Sequence, residues 1–290
     1  KAIETLLVAP KANEYGRADQ AAAWTLLAKL YLNANTYIGT DRNTDCITYS
    51  KKVIDAGFSL SPNYSHLFLR DNDNNNEIIF PVRFDGNKGR SWGGMTFLVH
   101  APVGGTMSAS QFGINGGWAG LRTTPEFVAK FSDITGNTDS RAMFHTDGQT
   151  LEIDDVFNFT NGYAITKYKN VDVNGVAGSD ASGNWVDNDF PMFRLADVYL
   201  MYAEAVKRGG GGGDEATALG YLNALRERAY GNTSGNLTTY DLNLILDERA
   251  RELYWEGHRR TDLIRYGLFT NGTYQWSWKG GVKNGTATSP

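Results

Sequence analysis

The sequence predicts a mainly α protein: tetratricopeptide-like helical hairpins interrupted by a large, loop-rich insertion that contains short strands. Three observations carry that expectation. Apolar residues recur at helical spacing toward both ends of the chain. The stretch between them is broken every few residues by Gly, Asn and Asp. Hydrophobic residues make up 41% of 290 positions, enough for a real core.

Taken in order, Ala18–Leu32 is expected to form a first helix in which Ala21, Ala22 and Ala28 permit close packing. Thr44–Ala56 follows, with Cys46, Tyr49, Val53 and Ile54 at helical spacing and Gly57 suited to the C-cap. Phe193–Arg208 and Asp214–Ala229 make a second pair, Asp214 serving as N-cap. Each pair has the size of a tetratricopeptide unit, whose two helices bury their apolar faces only by stacking on neighbours. The glycine run Gly209–Gly213 is a connector. A phosphate loop would need a following Lys-Ser/Thr and a preceding strand, and neither is present. Leu246–Gly267 is expected as one amphipathic helix, with Leu246, Ala250, Leu253 and Gly257 forming its apolar or small stripe. Asp247 with Arg251, Glu256 with Arg260 and Asp262 with Arg265 are spaced to pair. Glu248, Glu252 and Glu256 share one face and belong to a structural ion network, because glutamates beside arginines are held ionised whereas general acids need a raised pKa. The chain thus divides into a helical hairpin (1–57), a loop-rich ligand-binding region (58–190) and a C-terminal hairpin with a final helix (191–290), all one domain.

Composition and spacing exclude several chemistries. A net charge of −4 argues against nucleic-acid binding, which shows basic faces. No apolar run is long enough to span a bilayer. The single Cys46 cannot form an internal disulfide and is expected to be buried and inert. His66, His100, His145 and His258 have no metal-type spacing and no evident acid partner. The acidic run Asp71–Glu77 fails the EF-hand pattern, with Asn76 where Gly is required and Val82 where the bidentate Glu belongs, and is expected to be a solvated loop before a short strand. No nucleophile elbow, Cys–His pair or H-E-x-x-H occurs. The sequence calls for no cofactor, no metal and no catalytic residue.

The insertion holds the candidate site. Trp92 stands beside Arg90 among glycines, and Trp118 follows Asn115 and two glycines, just before a helix that Thr124 and Pro125 open. A Trp set among glycines on a loop has few neighbours to bury it. Flat sugar faces stack on such rings while amide and guanidinium groups bond the hydroxyls, so Trp92, Trp118, Asn115 and Arg90 are the candidate glycan-binding residues. Trp185, Trp255, Trp276 and Trp278 are expected in the core or framework, and Trp24 in the first helix.

The string E-R-A-R-E-L-Y-W-E-G-H-R-R-x-D-L-I-R-Y-G within Leu246–Gly267 resembles the C-terminal signature of the SusD/RagB family. Asp189–Ala205 and Tyr221–Gly231 resemble the family's preceding helices, and Gly16–Ala34 and Gly116–Phe131 are weaker matches in the same order. The resemblance implies a cell-surface, carbohydrate-binding lipoprotein of the outer membrane. Such a protein captures oligosaccharides or polysaccharides for a SusC-like TonB-dependent transporter and catalyses nothing. Its membrane contact would come only through a lipid anchor absent from this chain. Family members are longer, so the chain from Lys1 to Pro290 is expected to be truncated at its N-terminus. A helical-repeat scaffold for peptide or protein, of the RagB type, is the alternative. A glycoside hydrolase stands third, with Asp154 and Asp155 or Asp187 and Asp189 as its carboxylates.

Overall fold

Helix starts along the chain follow from short acidic side chains. Asp19, Asp214 and Asp241 each accept the backbone N–H of the residue three positions on, satisfying donors that the first turn leaves free. The computed structural model describes residues 4–285. Lys1 and Pro290, on which the expectation of truncation bears, lie outside them. The first helices are α1 (Gln20–Leu32), α2 (Ala34–Ile38), α3 (Asn43–Ile54), α4 (Gly94–His100) and α5 (Pro125–Val128). The later ones are α6 (Leu195–Lys207), α7 (Glu215–Tyr230), α8 (Leu242–Leu253) and α9 (Arg259–Arg265). Short strands are β1 (Ile78–Val82), β2 (Phe144–His145), β3 (Ala164–Ile165) and β4 (Phe190–Arg194). The described residues are therefore mainly α, as expected, and their two sheets have two strands each, β1 with β4 and β2 with β3.

The chain forms two compact units. The first, threaded from residues 1–63, 75–82 and 191–265, holds the helical hairpins. In it α1 packs on α3, α3 on α6, α6 on α7, and α8 on α6. Ala21, Ala28, Cys46, Val53, Leu200, Met201, Ala203 and Leu222 form its centre. Cys46 is buried there beside the Met201 carbonyl, and burial pushes its thiol up to about 12, so it is not a thiolate nucleophile.

Ionic nodes close this unit. The buried Arg194 donates to Glu77 at 2.9 Å, to Glu252 at 2.6 Å and, with two nitrogens, to Glu256 at 2.6 and 2.8 Å. Arg228 reaches Glu77 at 2.8 Å and also bonds Glu252. Arg249 pairs with Asp197 and Asp262, Arg265 with Glu204 and Asp262, and Arg226 and Arg251 with Glu248. Each of the three signature glutamates is thus held by arginine.

The expectation of one helix over Leu246–Gly267 is corrected. α8 ends at Leu253, Tyr254 is extended, Trp255 and Gly257 take φ values of +60° and +79°, and α9 begins at Arg259. The break lets Glu256 turn onto Arg194, which a continuous helix would not require it to reach. Gly57 also caps nothing: α3 stops at Ile54 with Asp55 as its C-cap.

The second unit comprises residues 64–74, 83–190 and 266–290. It is built mostly from turns. Asp85, Asp133, Asp155, Asp172 and Asp180 each accept backbone N–H groups a few residues downstream, the Asx-type bond that stabilises a tight turn. The acidic run is not simply solvated: Asn72 is buried and donates to the carbonyls of Leu67 and Asp189 at 2.8 Å. Trp278 donates to the Ile153 carbonyl and Trp276 stacks on Phe269, consistent with framework roles.

Candidate functional site

The site lies within the second unit, where a short helix and three loops meet. α4 starts at Gly94, which has φ of +58° and whose added Cβ would lie 2.4 Å from the Phe84 ring, so only glycine lets the helix begin against that ring. Its C-terminus leaves carbonyls unpaired, and the loop after Asn115 supplies the donors. Trp118 N–H reaches His100 O at 3.0 Å, Ala119 N–H reaches Val103 O at 2.9 Å, and Gly120 N–H reaches Ala101 O at 2.8 Å. Gly117 is required by this approach, since a Cβ there would stand 2.1 Å from Val103 O. The glycines that flagged Trp118 in the sequence are thus what lets its loop lie on the helix end.

Trp92 and Trp118 come together, with ring centroids 6.1 Å apart and planes inclined by 52°. They remain 56% and 41% exposed. Trp185, expected in the framework, joins them. It is half-buried and lies 4.2 Å from Trp92 at 44°. Phe97 on α4, also exposed, extends the group at 6.0 Å from Trp118. The four rings form a tilted aromatic arc. Such exposed apolar area, rimmed by polar groups, is a surface that soluble proteins seldom leave without a use.

The polar candidates are placed less simply. Arg90 is half exposed, with Nε on the Gly86 carbonyl at 3.0 Å and a terminal nitrogen 3.9 Å from Asp180. Asn115 is exposed, but both its amide donor contacts go to the loop that carries Trp185, to Ser182 O at 2.9 Å and Asn184 Oδ1 at 2.7 Å. Its carbonyl oxygen is the part left to meet a ligand. Asp180 gathers the third loop, accepting from the Ser182 hydroxyl at 2.6 Å and from the N–H groups of Asn184 and Trp185 at 3.0 Å. The Ser182 hydroxyl first, and then these amides, hold its carboxyl below the usual range.

The carboxylates considered for hydrolysis are engaged elsewhere. Asp187 accepts from Gly86 N–H, Ser179 N–H and the Ser179 hydroxyl, and Asp189 from Phe84 N–H. Asp154 is exposed and paired with Lys283 at 2.7 Å, and Asp155 accepts from Phe157 N–H. No group of three or more His, Cys, Asp or Glu able to hold a metal ion occurs among the described residues.

Sequence reasoning missed Trp185, Phe97 and His100. Trp185 had a usable signal, since it follows Gly183 and Asn184 much as Trp118 follows Asn115 and its glycines. Phe97 and His100 had none beyond lying on one short helix.

Comparison with known proteins gives a consistent family. The model of the SusD family matches residues 146–289. The starch-binding protein SusD of Bacteroides thetaiotaomicron is 36% identical to this chain over 99% of it, and the match covers 59% of that protein. Among solved structures, surface glycan-binding protein A from Bacteroides thetaiotaomicron superposes with a TM-score of 0.72 at 22% identity, covering 97% of this chain and 61% of that one. The same protein in complex with laminarihexaose gives 0.69 at 23% identity, covering 97% and 62%. The chain therefore spans about three fifths of the length of these relatives.

Proposed function

The chain belongs to the SusD family, and on that premise we propose that it captures oligosaccharides or polysaccharides and chemically alters none of them. The observation that carries this reading is the half-exposed arc of Trp92, Trp118 and Trp185 in one unit. Sugar rings present flat C–H faces that stack on indoles, and the tilt between the rings suits a chain of sugars more than one flat ring. Arg90 and the Asn115 carbonyl stand at the edge as hydrogen-bonding partners for hydroxyls. The relatives named for starch binding and for a laminarihexaose complex support a glucan among the ligands. By family, the protein belongs at the outer-membrane surface as a lipoprotein and hands its glycan to a SusC-like TonB-dependent transporter.

Affinity electrophoresis against starch, laminarin and a panel of plant, host and microbial polysaccharides tests the reading. Retardation by at least one glycan, reduced in Trp92→Ala and Trp118→Ala, is expected. Retardation by none turns the assignment toward a peptide-binding scaffold. Incubation for days with the retained glycan should leave its chain lengths unchanged, and shorter products would mean a hydrolase.

A further inference from the structure

His100 is the last residue of α4 and is 1% exposed. A buried imidazole costs desolvation that an apolar residue avoids, so its polar contacts explain its presence better than its volume. A neutral ring has one N–H, which bonds one of two facing carbonyls while the other nitrogen only touches its own. Its Nδ1 lies 2.7 Å from the carbonyl oxygen of Gly116, two residues before Trp118. Its Nε2 lies 3.1 Å from the carbonyl oxygen of Asn184, immediately before Trp185. Its own carbonyl accepts the Trp118 N–H, and its ring stacks under the Trp118 indole at 5.0 Å and 23°. One side chain thus touches two of the three loops that carry indoles of the arc.

We propose that His100 is the positioning residue of the aromatic platform, setting the orientation of Trp118 directly and of Trp185 through the Asn184 carbonyl. The proposal rests on reading the arc as a glycan platform. Stacking energy depends on the offset and tilt of the rings, so a sugar chain that meets several indoles at once is sensitive to their mutual angle. Trp92 follows because it leans on Trp185 at 4.2 Å.

The two nitrogens allow the two arms to be separated. His100→Asn places an amide near the position of Nδ1 and keeps the Gly116 contact, while His100→Gln places one near Nε2 and keeps the Asn184 contact. Two measurements are made on each variant and on wild type: affinity for laminarihexaose and for soluble starch, and the circular-dichroism couplet of the touching Trp92 and Trp185 indoles. Val99→Ala, a cavity at a fully buried neighbour on the same helix, controls for loss of folding. Both His100 variants are expected to bind about tenfold more weakly, a loss of the size that one anchoring side chain carries. The couplet should shrink in His100→Asn and persist in His100→Gln. The proposal is overturned if affinity and couplet are unchanged in both variants, or if Val99→Ala loses as much affinity as they do. A wild type that binds neither glycan defeats the platform reading alone, and the couplet then decides the role of His100 without a ligand.

Discussion

The helical unit and the loop unit differ in where their charged side chains find partners. In the helical unit, charged side chains far apart in sequence meet inside the core: Arg194 with Glu77 across 117 residues and Arg228 with Glu77 across 151. In the loop unit several carboxylates act on their own turn instead, with Asp85, Asp133, Asp155 and Asp172 each capping N–H groups within five positions, although Asp187 takes the Gly86 N–H across 101 residues. Local capping leaves a loop its shape without covering its side chains. The rings of Trp92, Trp118 and Phe97 stand exposed in that unit. Long-range pairing does the reverse: it draws α6, α7 and α8 together and leaves nothing of Glu252 or Arg194 for a ligand to touch. Stability and binding are therefore expected to separate by unit.

Removal of the cation at the node is the most severe way to break that separation. Arg194→Met takes one cation from three buried carboxylates, of which Glu77 and Glu252 keep Arg228, and should cost about 3–5 kcal/mol in denaturant unfolding, the usual result of stripping one partner from a buried ion pair. Glycan affinity of the protein that still folds should be unchanged. Loss of less than about 1 kcal/mol would mean that the node is solvated and the contrast between the units false. Glu256→Gln is milder, because Arg194 keeps two other carboxylates, and should cost about 1–3 kcal/mol. A variant that kept its melting temperature and lost binding would make Glu256 a site residue after all.

The converse experiment removes rings from the loop unit. Trp118→Ala and Trp92→Ala should each cost about 1–3 kcal/mol of glycan binding, the range for an aromatic anchor, while the melting temperature barely moves. Parallel loss of folding and binding would mark the ring as a plug. The shallowest change expected is with pH. Burial holds the His258 ring down to about 4 from its ordinary 6.5, chiefly by desolvation, with Lys29 and Arg249 adding to it against Asp197. The folded chain then binds that proton more weakly than the unfolded chain. The stability this represents is complete above 6.5 and declines gradually as pH falls from 6.5 to about 4. His258→Gln should flatten the slope of melting temperature over that window, and an unchanged slope would show that other groups carry it.

Much of the helical unit was legible because helix periodicity and caps are local. Asp214 heads its helix as its sequence position indicates, and the apolar spacing of Cys46, Tyr49 and Val53 points into the core. The break between α8 and α9 was not legible. Gly257 falls on the stripe of a continuous helix, and what pulls the chain out of that helix is a partner 62 residues away. In the candidate site, Trp92 and Trp118 could be singled out because glycine has a letter and a reason. The carbonyl oxygens that hold His100, 16 and 84 residues distant, have no letter at all. A histidine whose partners are backbone atoms looks isolated in any sequence.

The helical unit is threaded from three stretches, 1–63, 75–82 and 191–265, and this has a consequence for how the chain comes into being. Delivered N-terminus first, the chain presents Glu77 early, then Arg194, then Arg228, and only at the end Glu252 and Glu256. Until those last anions emerge, the arginines of the node have a single carboxylate between them, and burying them would be unfavourable. Closure of this unit must wait for the final stretch, a late, non-local step of the kind that slows folding. The loop unit's turns, by contrast, can form as each capping aspartate leaves the exit. A chain interrupted anywhere between α6 and α9 would therefore have formed turns but an open helical unit, a target for proteolysis.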